Sequence, residues 1–224
     1  CRPMGVGRHK LCGLTEMRTL LPWTGFAIGG FAVSLQFFLT VTSRMTAGDS
    51  LFEALTFFFS FFTILINIAA FFVYAAHLFP GRFTLFASPL MRGTIAVAIA
   101  IVGLVYATVL AGIWAPEGLF WLCDTLLHYV APLVYVAWWL FAGRGGALVY
   151  ANIPKMLAFP LVYCAYAVAR GLLTGKYAYP FLDVGTLGSG KVLVNAAIVA
   201  SLFLLFSIAA VAYDRRFPAP ARNL

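Results

Sequence analysis

The chain has 224 residues, of which 63% are hydrophobic and only 10% charged, with a mean hydropathy of +0.96. Too little charge is present to clothe a water-soluble domain of this size, which excludes a soluble enzyme and makes lipid the natural solvent. The net charge of +8 does not argue for a nucleic-acid partner, because the basic residues flank apolar runs rather than forming a patch.

Residues 1–17 begin without Met and read as a leader or cloning remnant, set aside from the functional argument. The first span, about 20–41, is too long for a signal h-region and lacks an A-x-A-like cleavage site, so a retained helix is expected. Its Gly25 and Gly29 form a small-xxx-small pair, suited to helix–helix contact but also common in membrane helices at large.

The second span, about 54–79, carries Thr56, Ser60, Thr63 and Asn67 at steps of four, three and four, along one face of a continuous helix. The third is about 94–114. The fourth, about 118–141, holds Asp124, His128 and Tyr135, again on one face. The fifth, about 151–172, ends near Arg170. A connection from Gly171 to Gly190 then mixes turn formers with Tyr177, Tyr179, Phe181 and Asp183, either as a cap over a site or as an ordinary interfacial aromatic belt. The sixth span, about 191–213, precedes a short tail, 217–224.

The expected fold is therefore an all-α integral membrane protein, a six-transmembrane-helix bundle in one domain over residues 18–216. Of the fifteen Lys and Arg residues, all but Arg44, Arg170, Lys176 and Lys191 fall on the side of the termini, so both termini are expected in the cytoplasm. Cys1, Cys12, Cys123 and Cys164 lack metal or disulfide spacing. His77 lies fourteen residues beyond Thr63, roughly 21 Å deeper by helix rise, too far to share a haem with His128. His9 is in the leader. No metal or organic cofactor is expected.

Polar side chains inside a bilayer are costly and mark function more often than elsewhere. Counted from Glu53 and Glu117, Thr63 and His128 descend to the same level, roughly 15 Å below the flanks. A hydroxyl beside an imidazole suits nucleophilic catalysis, with Asp124 one turn away to orient the base and Asn67 one turn below Thr63 to support an oxyanion. The plain alternatives are a Thr bonded to its own i−4 carbonyl, a His bonded to a neighbouring helix, and an Asp124–Arg170 ion pair.

The segments FFTILIN (Phe61 to Asn67), LLHYVAP (Leu126 to Pro132) and YAYPFLD (Tyr177 to Asp183), with Arg170-Gly171 before the last, together resemble the androgen-induced family of six-helix membrane proteins and its bacterial relatives. The resemblance covers most of the chain. It implies an intramembrane threonine hydrolase of fatty acid esters of hydroxy fatty acids, with Thr63 as nucleophile and His128 as the essential histidine, in a bacterial inner membrane. The expected partners are membrane lipids and a lipid ester, with no nucleic acid; the oligomeric state stays open. Ser60, Tyr135, Arg170, Tyr177, Tyr179 and Asp183 are expected around the pocket, and Phe57 to Phe62, Phe71, Phe72, Trp138 and Trp139 are candidate acyl-chain contacts. The rival is a transporter or proton relay built on Asp124, His128 and Arg170.

Overall fold

The computed structural model describes residues 6–113 and 115–217; Cys1 and the end of the tail lie outside them. Eight α-helices account for most of these: α1 (Val6–Thr46), α2 (Leu51–Phe59), α3 (Phe62–Leu78), α4 (Pro89–Val105), α5 (Gly118–Thr125), α6 (Ala131–Trp138), α7 (Ile153–Thr174) and α8 (Val184–Arg216). A π-turn, Tyr106–Leu110, prolongs α4, while two more, Leu126–Val130 and Trp139–Gly143, make α5 and α6 parts of one rod. Among the described residues there are no strands. Five helices are long and apolar enough to cross a membrane, and six if the bent pair α2–α3 counts as one span. Leu133, Leu161, Val162, Leu173 and Leu193 are exposed on the surface of these helices, as on apolar helices of membrane-spanning length.

The first helix starts well before the expected boundary, at Val6, so the leader continues directly into it. At the centre stands α4, whose Ile95–Val102 stretch is almost wholly buried against α3, α6, α7 and α8. Small residues make this possible: Ala96 and Ala98 are buried at the contact, and Gly93 leaves room for the Leu148 side chain, which a Cβ would meet at 2.7 Å. Gly25 serves the same purpose within the chain. A Cβ there would fall 2.2 Å from the Tyr74 ring, so α1 can lie on α3 only with glycine at this position.

The second span is not the continuous helix expected from its polar stripe. Helix α2 ends at Ser60, Phe61 is extended (φ −93°, ψ 128°), and α3 sets off at 77° to α2. No Pro or Gly marks the break. Backbone groups freed there would each cost several kcal/mol in lipid. Instead the Tyr163 hydroxyl donates to the Ser60 carbonyl (2.7 Å) and accepts from the Phe62 N–H (3.1 Å), while the Tyr179 hydroxyl lies 3.4 Å from the Thr63 nitrogen that donates to it.

The connection after α7 begins later than expected, since α7 runs on to Thr174. Gly175, with φ 68°, stops α7; Asp183 caps α8 by accepting from the Thr186 N–H (3.1 Å). Residues 175–183 lie between, and at Gly188 the backbone leaves helical geometry (φ 76°, ψ 156°), so Val184–Leu187 forms a short turn ahead of the long run of α8, which resumes close to the expected Lys191. At the opposite end of the bundle, the fully buried Asp214 carboxylate accepts from the Gly146 and Leu148 N–H groups (3.1 and 3.0 Å) and anchors the loop after the α5–α6 rod.

Candidate functional site

Pro132 explains the local shape of the site. Lacking an N–H, it cannot donate to the His128 carbonyl, and the helix widens there into the π-turn, closed by the Ala131 N–H on the Leu126 carbonyl. Helix α4 comes up against this bulge through Gly103, where a Cβ would meet the His128 carbonyl oxygen at 3.2 Å and the Pro132 Cβ at 3.3 Å. One turn on, Tyr106 stacks on the imidazole, with ring centroids 4.0 Å apart and planes at 19°. Two π-turns thus face each other, an irregularity that recurs at functional sites.

Asp124 joins both rings. Its carboxylate lies 3.1 Å from His128 Nδ1 and accepts a hydrogen bond from the Tyr106 hydroxyl, while its carbonyl oxygen is 3.0 Å from the same Nδ1. Two acceptors on Nδ1 select the tautomer protonated there and leave Nε2 as the basic nitrogen. The expected alternative, an ion pair with Arg170, is not formed: the Arg170 guanidinium donates to the Lys176 carbonyl (2.7 Å).

Thr63 sits in the first turn of α3, just past the break. The residue four before it, Phe59, belongs to α2, so α3 offers no carbonyl for the back-bond usual to a helical Thr. Thr56 does make that bond, to the Phe52 carbonyl (2.7 Å). Thr63 and His128 both line a cavity of about 690 Å³, a ligand-sized space, together with Asp124, Tyr106, Phe57, Phe61 and Tyr179. Arg44 and the exposed Glu117 also line it. Among the described residues no hydrogen bond joins Thr63 directly to His128. The two share that cavity's wall, and the common descent counted from Glu53 does not apply, since the bend turns α2 away from the axis of α3.

No family model, no curated protein and no solved structure matches the chain. Its chemistry therefore has to be read from the side chains themselves.

Several expected members fall elsewhere. The Asn67 amide donates to the Thr63 and Leu127 carbonyls (2.8 and 3.3 Å), so it ties the two functional helices together and has no N–H left for an oxyanion. Ser60 is buried, its hydroxyl on the Phe57 carbonyl. Tyr135 is wholly buried and donates to the Arg92 carbonyl (3.2 Å), because the π-turn adds a residue and rotates it off the His128 face. Tyr177 covers Gly171, where a Cβ would be 2.1 Å from its ring. Phe71 stacks with Phe26, Trp138 packs on Tyr74, and Trp139 on Tyr213, all away from the cavity. Tyr179 does belong to the site. Burial raises its pKa above the ordinary 10.0, against hydrogen bonds with Thr63 that lower it, and keeps the phenol protonated. Tyr106 was not legible in advance: span three shows one Tyr among apolar residues, and only the fold brings it to His128.

Proposed function

We propose that the chain is a six-span integral membrane protein, with both termini cytoplasmic, that hydrolyses lipid esters within the bilayer. In this reading His128 Nε2 accepts the proton of Thr63 as its hydroxyl attacks the ester carbonyl. Asp124 holds the imidazole and stabilises its charge. The protonated His128 then donates to the leaving alcohol, and water, activated by the same nitrogen, releases the acid from Thr63. Tyr179 takes the part first expected of Asn67, donating its hydroxyl to the oxyanion. The observation that carries the reading is a base oriented by a carboxylate on the same ligand-sized cavity as a hydroxyl free of back-bonding. The resemblance to the androgen-induced family of threonine hydrolases points the same way.

A transporter or proton relay is favoured by one feature, the broken span α2–α3, since discontinuous helices line many transport sites. Against it, Arg170 is turned away from Asp124 and His128. The two readings separate on Thr63, which a relay does not need. Labelling of the detergent-purified protein with a fluorophosphonate probe is expected for the native chain and absent from folded Thr63→Ala and His128→Ala variants. A native chain that stays unlabelled, or a Thr63→Ala variant that still labels, would sink the hydrolase reading.

A further inference from the structure

A second, much smaller cavity of about 80 Å³ adjoins the first. The two share four wall residues, Thr63, Leu110, His128 and Tyr179. The nucleophile, the base and the proposed oxyanion donor thus stand at the seam between chambers of very unequal size. The small chamber is lined almost wholly by apolar groups, chiefly the buried Ile101, Val102 and Phe203, with Pro160 and Cys164 of α7. The large one has Arg44 and the exposed Glu117 on its wall.

We propose that the substrate is an ester of a short acyl group with a long apolar alcohol, the acyl limb occupying the small chamber and the alcohol the large one. The inference rests on the hydrolase reading above. An ester carbonyl at the seam must send one limb each way. An apolar cavity of about 150 Å³ accepts a six-carbon ring, so one of this size takes an acyl limb of about three carbons, whereas the large chamber takes a lipid-length chain. The order of events decides which limb is which. Thr63 Oγ1 bonds to the carbonyl carbon, the C–O bond to the alcohol breaks, and the alcohol leaves with the proton from His128 before water can enter. The limb that departs must vacate the chamber water reaches, and charged groups, with the exposed Glu117, line only the large one.

Two isomeric esters test this on the native full-length chain in detergent: hexadecyl butanoate and butyl hexadecanoate. The butanoate is expected to have the higher kcat/KM by about tenfold or more, since a single ill-fitting methylene already costs that much in an apolar pocket. Phe203→Ala, which enlarges the small chamber alone, is expected to move the optimum acyl length up by about two carbons or more. Equal rates, or a preference for the hexadecanoate, would overturn the chamber assignment while leaving the hydrolase standing. Hydrolysis of neither ester, with no probe labelling, would overturn both.

Discussion

His128 owes its role to what surrounds Nδ1 rather than to its own position in the sequence. The carboxylate and carbonyl of Asp124 converge on that nitrogen, and Tyr106 holds the carboxylate from the other side. An amide in place of the carboxylate would keep the shape but lose the charge that stabilises an imidazolium. Asp124→Asn is therefore expected to lower kcat for ester hydrolysis by roughly 10²–10⁴-fold with little change in KM. Turnover by this variant at the native rate would reduce Asp124 to a structural hydrogen-bond partner. The four-residue step from Asp124 to His128 was legible because helix periodicity is local. Tyr135 was misassigned on the same logic, since a π-turn between them spoils the register that periodicity assumes. Asn67 lay on the right face for catalysis, but its partners, two backbone carbonyls, are invisible to a pattern of side chains.

At the scale of elements, the break between α2 and α3 frees Thr63 for chemistry. A hydroxyl in mid-helix has a carbonyl one turn back, whereas one in the first turn after a 77° bend has none. The break carries no Pro or Gly, so no local rule announces it; its determinants are Tyr163 and Tyr179, a hundred residues away in the chain. Tyr163→Phe keeps the ring and deletes the hydroxyl that serves both the Ser60 carbonyl and the Phe62 N–H. Leaving buried backbone groups without partners costs about 1–3 kcal/mol. The variant is expected to unfold earlier in detergent melts by that amount and to lose most of its probe labelling, because the first turn of α3 is no longer fixed. A variant as stable as the native chain would show that the bend is held by packing alone.

For the whole molecule, five helices of membrane-spanning length, or six with the bent pair, were legible because a bilayer admits few solutions: each helix must satisfy its own backbone and be about 20 residues long. The internal arrangement was not, since α4 becomes the centre through Gly93, Ala96 and Ala98, whose smallness carries no directional signal in the sequence. The proposed orientation rests on charge. Among the described residues, Arg82, Arg92, Arg144, Lys155, Arg215 and Arg216 gather at the end opposite the cavity, and only Arg44, Arg170, Lys176 and Lys191 at or towards the cavity end. Exposed positions at the two ends make this testable in intact cells, with the natural cysteines replaced by alanine. Ala47→Cys and Lys176→Cys are expected to react with a membrane-impermeant maleimide from outside, and Arg82→Cys only after permeabilisation. The reverse pattern would turn the cavity end towards the cytoplasm, so that substrate and water would reach Thr63 from that side. Equal reaction at all three sites without permeabilisation would mean that no membrane separates the two ends.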